Sequence, residues 1–183
     1  MERAGIGIKS HITSSETRMI GIGDKHCKLT VYIGNRPPLD EYIMRENLIP
    51  AGKGELARIG RDTGNHWRKI INIYAKLGYM LDPKYFSTWQ AYRDDFLLTE
   101  ESQQALLFNS SIVTNAADGI NIICGKTHAM TLVDENTLQW VDSDFSINRS
   151  QRLIVTPYFD YRQLSNVKLE NLMGIIGSFV TPN

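Results

Sequence analysis

The sequence is short of cysteine, of net charge and of long apolar runs, and each shortage excludes a class of protein. Two cysteines in 183 residues, Cys27 and Cys124, cannot build a disulfide scaffold. Each lies beside an apolar segment and reads as a free, buried thiol. The 20 basic and 20 acidic side chains cancel, which argues against a general polyanion binder but leaves room for a local basic face. No apolar run approaches the roughly 20 residues that span a bilayer, so a membrane protein is not expected. The opening Met1-Glu2-Arg3-Ala4-Gly5 starts no secretory-type apolar stretch, and a cytoplasmic protein is expected. Catalytic signatures are also missing. No Gly-x-Ser-x-Gly elbow, Cys-x-x-Cys pair or His-Glu-x-x-His helix occurs, so neither a serine hydrolase nor a metal site is expected, and no cofactor. Gly125-Lys126-Thr127 looks like the end of a phosphate-binding P-loop, but Ile120 stands where that loop needs its first glycine.

What is present describes an ordinary folded domain. With 42% hydrophobic and 22% charged residues, residues 1–183 read as one domain, with 1–26 an N-terminal arm or hairpin around the glycine-spaced Gly5–Ile8 and Ile20–Gly23. Leu29–Ile33, Ile120–Cys124 and Leu153–Thr156 are β-branched, apolar and closed by Gly34, Gly125 and Pro157, which predicts buried strands. Trp67, Ile70, Ile71, Tyr74 and Leu77 fall at helical spacing, with Asn65 as the cap and Gly78 as the stop. Further helices are expected from Asp40 as cap to about Asn47, from about Pro83 to Arg93, from Glu100 to Leu106, over Lys126–Leu132 and from the cap Ser165 onward. Residues 50–64, rich in glycine, read as a long connection, and Leu106–Phe108 fits a helix end or a strand equally. Alternating strands and helices predict an α/β fold, a short parallel sheet between helix layers. Sites in such sheets lie beyond the carboxyl ends of the strands.

Read in order, the turns carry a resemblance. Gly34-Asn35-Arg36-Pro37-Pro38 ends the first strand, Gly64-Asn65-His66-Trp67 opens the long helix, and Leu106-Leu107-Phe108-Asn109 follows. Then come Gly125-Lys126-Thr127-His128 and Val155-Thr156-Pro157-Tyr158, the last leading to Gln163-Leu164-Ser165. This succession resembles the uracil-DNA glycosylase superfamily, particularly its mismatch-specific branch, over residues 28–180. The resemblance implies a cleft that takes a flipped base, with DNA or a nucleobase as partner. It puts Arg36 where the family has the Asp or Asn that positions water, Thr156 where it has a His or Asn, and Tyr158 where it has a serine. Asn109 matches the residue that reads uracil's edge in one branch, and Trp67 falls near the stacking aromatic, although its spacing equally suits a core residue. A guanidinium has no acceptor for water and a threonine hydroxyl is a weak charge stabiliser, so ordinary uracil excision is not expected.

Asn35, Arg36, Trp67, Asn109, Lys126, His128, Thr156, Tyr158 and Arg162 are therefore the candidate ligand-binding residues. Arg162 joins them from the aromatic loop Tyr158–Arg162, which in the resembling enzymes wedges into a duplex. Lys53, Arg58, Arg61, Arg68 and Lys69 outnumber Glu55 and Asp62 and suggest a basic rim. Two functions compete. One is a divergent, glycosylase-like protein that binds nucleic acid or a nucleobase; the other is a non-catalytic module of the same fold that binds a small ligand or a protein.

Overall fold

Four short, fully buried segments set the middle of the sheet. In the computed structural model, which describes residues 18–113 and 119–180, they are β2 (Leu29–Tyr32), β4 (Gln104–Leu107), β5 (Ile120–Cys124) and β8 (Leu153–Thr156); β1 (Gly21–Gly23) precedes them, β3 (Leu48–Ile49) falls between β2 and β4, and β6 (Gln139–Trp140) and β7 (Ser146–Asn148) fall between β5 and β8. Among the described residues, the eight strands lie in the order β3-β1-β4-β2-β5-β8-β7-β6. The middle four run parallel, as the crossovers between them require, whereas β1 is antiparallel to β4 and β7 is antiparallel to both β8 and β6.

The helices are α1 (Asp40–Ile43), α2 (Glu55–Asp62), α3 (Asn65–Leu81), α4 (Trp89–Asp95), α5 (Lys126–Leu132) and α6 (Asn166–Val180). Period-two alternation divides the sheet residues between two cores. Val31, Leu106, Ile122 and Ile154 are in register across the four strands and pack in one cluster with α2, α3, α4 and α6. Tyr32, Leu107, Ile123 and Val155 form the opposite row and pack with Ala129 and Leu132 of α5. Tyr74 of α3 ties the first helix layer to the sheet, its hydroxyl lying 3.0 Å from the carbonyl oxygens of both Leu29 and Ala105. The fold is α/β, with a mostly parallel sheet between helix layers.

Several local expectations are corrected. Residues 50–64 contain α2, because Leu56 and Ile59 bury against the first helix layer despite four glycines nearby. Gly64, not Asn65, precedes α3, and Gly78 does not stop it. Gly78 is buried where a Cβ would lie 2.8 Å from Gln104 Nε2, so its missing side chain lets the helix approach β4. Asp40 is the first residue of α1 rather than its cap, and α1 ends at Ile43. Helix α4 starts only at Trp89, capped by Thr88 Oγ1, which accepts from Ala91 N at 3.2 Å. The stretch expected to be helical from Glu100 to Leu106 is a turn over 100–103 followed by strand β4, all four of whose residues are buried. Of the expected N-terminal arm, Gly21–Gly23 is inserted into the sheet between β3 and β4, while Gly5–Ile8 lies outside the described residues. The strands at 29, 120 and 153, helix α5, and the Ser165 cap, whose Oγ accepts from Lys168 N at 3.4 Å, stand as read.

Candidate functional site

The chain leaves β2 toward β4 on one side of the sheet and leaves β5 toward β8 on the other, so strand order reverses between β2 and β5. Loops diverge at such a switch point and open a crevice beyond the strand ends. A cleft of about 850 Å³ lies there, lined by Gly34 and Asn35 after β2, Gly125–His128 after β5, Pro157, Tyr158 and Arg162 after β8, and Asp144 and Lys168.

One wall is a hydrogen-bonded trio from three different segments. Tyr158 Oη donates to Asn35 Oδ1 at 2.8 Å and lies 3.0 Å from His66 Nε2. The phenol has a single proton, already given to the amide oxygen, so the network assigns the Nε2 proton to His66. The two rings also stack, with centroids 5.6 Å apart and planes 9° from parallel. Burial, then the nearby Cys124 sulfur and Asp160, push the Tyr158 phenol up to about 12, against the opposing Asn35 bond. It therefore stays protonated at neutral pH and serves as a hydrogen-bonding wall. The Asn35 amide nitrogen has no partner among the described residues and lines the cleft as a donor.

His128 closes the floor, packed over Gly34 so that a Cβ there would sit 3.0 Å from Nδ1. Thr131 Oγ1 donates to the His128 carbonyl at 2.7 Å and lies 3.3 Å from Nδ1, so it accepts the Nδ1 proton. Nε2 is buried and has no hydrogen-bond partner. A second proton there would find no acceptor, and desolvation holds this imidazole below its usual range. The rim is cationic. Lys126 Nζ bonds the Ser143 carbonyl and sits 5.0 Å from the Trp140 ring. Arg162 is exposed, and Lys168 pairs with Asp144 at 2.9 Å. Asp144 is the one carboxylate among the lining residues.

Of the nine residues nominated from sequence, Asn35, Lys126, His128, Tyr158 and Arg162 line this cleft. The other four face elsewhere. Arg36 Nη1 lies 2.8–3.1 Å from the carbonyl oxygens of Tyr42, Ile43 and Arg45, closing the end of α1, with its guanidinium over Phe108. Trp67 is 1% exposed and meets Phe108 edge-on, which is a core placement. Asn109 accepts from Ile20 N at 2.8 Å and donates to Arg18 O at 2.7 Å, so both ends of its amide hold the segment that leads into β1. Thr156 is fully buried, and its hydroxyl donates to the Pro157 carbonyl at 2.9 Å. In the aromatic loop Phe159 is buried, whereas Tyr161 and Arg162 are exposed. Sequence reasoning missed Asp144 and Lys168. The serine cap at 165 placed Lys168 in the first turn of a helix, which was a usable signal; Asp142-Ser143-Asp144 marks a turn, with Asp142 Oδ1 accepting from Asp144 N at 2.7 Å, but not that the turn of the β6–β7 hairpin reaches the cleft.

These features define the class: an α/β protein with one sheet, helices on both faces and a donor-lined, cation-rimmed cleft at the switch point. Among the described residues, no helix is long and apolar enough to cross a membrane. The chain belongs to a family of unknown function, DUF6942, whose model matches residues 20–177. No curated protein and no solved structure matches it.

Proposed function

We propose that this chain binds nucleic acid or a nucleobase-bearing ligand in the switch-point cleft, as a divergent relative of the uracil-DNA glycosylase superfamily that does not excise uracil. The carrying observation is the cleft's lining. Lys126, Arg162, Lys168 and the free Asn35 amide nitrogen present donors, against one carboxylate that Lys168 already holds. Such a lining suits phosphate and the carbonyl edge of a base. The loss of excision follows from the placement of Arg36, Asn109 and Thr156, each of which bonds a backbone carbonyl and none of which lines the cleft. The lining residues then offer no free carboxylate, and the amide oxygen of Asn35 already accepts from Tyr158, so neither an Asp nor an Asn acceptor is left to orient water.

The cleft's volume favours a second reading, because about 850 Å³ falls within the range of small-molecule sites. A mononucleotide would satisfy the same donors without any polymer. Fluorescence anisotropy with a labelled single-stranded oligonucleotide separates these readings. Binding is expected at low salt, weakening as salt rises and weakening again in Arg162→Ala. A uracil-containing oligonucleotide should release no base above the buffer rate. No binding at low salt overturns the nucleic-acid reading, equal affinity for a mononucleotide favours the small-ligand reading, and robust uracil release overturns the non-excising one.

A further inference from the structure

Across the first turn of α3 from the cleft lies a second groove, of about 380 Å³, between α2, α3 and α4. Three guanidinium groups line it, those of Arg61, Arg68 and Arg93, and no carboxylate does. They are not equivalent. Arg93 is held in place, bidentate on Asp94 at 2.7 and 3.0 Å and bonded to Asn72 Oδ1 at 2.8 Å. Arg61 gives one bond, to the neighbouring Asp62, and Arg68 gives one, to the Asn65 amide oxygen at 2.8 Å. Each guanidinium carries five donors, so most of those on Arg61 and Arg68 have no protein partner among the described residues. Gly60 forms part of the floor, and the stem of Arg68 packs where a side chain at that position would lie.

Arg93 and Arg61 are each paired with a neighbouring carboxylate, Asp94 and Asp62, that does not itself line the groove, and Arg68 has no carboxylate partner among the described residues; the guanidinium donors left over match phosphate oxygens in fork geometry. The groove is also next to the cleft. His66 contacts Tyr158 on the cleft wall, while its neighbours Gly64, Asn65 and Arg68 line the groove. The two sites thus flank one helical turn, a separation on the order of 10 Å, which roughly three stacked nucleotides bridge.

We infer that this groove holds the phosphodiester backbone of a single strand whose base or end occupies the cleft, with Arg61 and Arg68 as phosphate ligands and Arg93 as their fixed support. The inference rests on the nucleic-acid reading of the cleft, and the experiment separates the two. Anisotropy is measured with a labelled thymidine dinucleotide, which fills only the cleft, and with an oligothymidylate of about 12 nucleotides, which also reaches the groove. The wild-type protein should bind the longer strand about tenfold tighter at low salt. Arg61→Ala and Arg68→Ala should each abolish part of that advantage and lower the log–log salt slope by about 0.7, the value for one phosphate on a single strand. Neither should alter dinucleotide binding, which Arg162→Ala should weaken. If the Arg61→Ala, Arg68→Ala double variant binds the longer strand with wild-type affinity and slope, the groove assignment is overturned while the cleft stands. Loss of dinucleotide binding alone, with the arginine effects intact, overturns the cleft instead, and failure of both strands to bind overturns both.

Discussion

At the scale of single residues, direction rather than position decides what a side chain does. Asn109 sits just beyond a central parallel strand, where a base-reading amide would be expected, yet it is 6% exposed and closes on the backbone of Arg18 and Ile20. Asn109→Ala takes their side-chain partner from the part-buried Ile20 N–H and Arg18 carbonyl and should cost about 1 kcal/mol in urea unfolding, with oligonucleotide affinity unchanged. A lost affinity at unchanged stability would return Asn109 to the site. That Asn35 and Asn109 follow strand ends and Thr156 closes one was legible in the sequence; which way each turns was not, because their partners are a phenol 123 residues away, backbone groups 89 and 91 residues away, and a carbonyl that any loop could offer. His128 gives a pH prediction. Its folded-state value lies below the ordinary 6.5, so the unfolded chain takes up the proton first as pH falls. Stability should therefore be complete above about pH 6.5 and decline as pH drops toward the lowered value. His128→Gln should flatten the urea midpoint between about pH 7 and pH 5, and an unchanged slope would show that another group sets it.

At the scale of elements, burial outweighs local preference wherever the two conflict. Gly21-Ile22-Gly23 has little strand propensity, yet it enters the sheet because a Cβ at residue 21 would stand 2.0 Å from the Leu106 carbonyl oxygen and glycine has none. Gly21→Ala meets backbone that cannot yield without breaking the β1–β4 pairing, and it should cost about 3 kcal/mol by chemical denaturation. Gly174→Ala on the open face of α6, where a Cβ would meet nothing within 4 Å, should instead gain about 0.5–1 kcal/mol. Equal effects at the two positions would contradict the close approach. The same contrast explains what the sequence revealed of the elements. Long periodic patterns such as Trp67–Leu77 and dense β-branched runs such as Ile120–Cys124 carry their own signal. Helix α2 and strands β1, β3, β6 and β7 are short, and their form comes from neighbours distant in sequence. Gln104–Leu107 is a further case, since a strand buried on both faces shows no alternation to distinguish it from a helix end.

At the scale of the whole molecule, charge is neutral in sum and uneven in place. Twenty cations balance twenty anions, but the cleft and the groove are lined by six cationic side chains and one carboxylate. A field of this kind steers an anionic ligand to one region without making the protein adhere to every polyanion, and its reach shortens to about 8 Å at physiological salt. The strand order has a different consequence, for how the protein is made. Strand β2 lies between β4 and β5, so Leu29 must wait for Gln104 on one side and Ile120 on the other. During synthesis at about 5–20 residues per second, the nascent chain holds this apolar segment with both edges open for roughly 4–15 s, until Gln104 is made. Pairings so distant in sequence form slowly even in the finished chain. The cleft itself comes later still: Tyr158, Arg162 and Lys168 on its wall and rim follow β8, so it can exist only after that strand and its loop have left the ribosome.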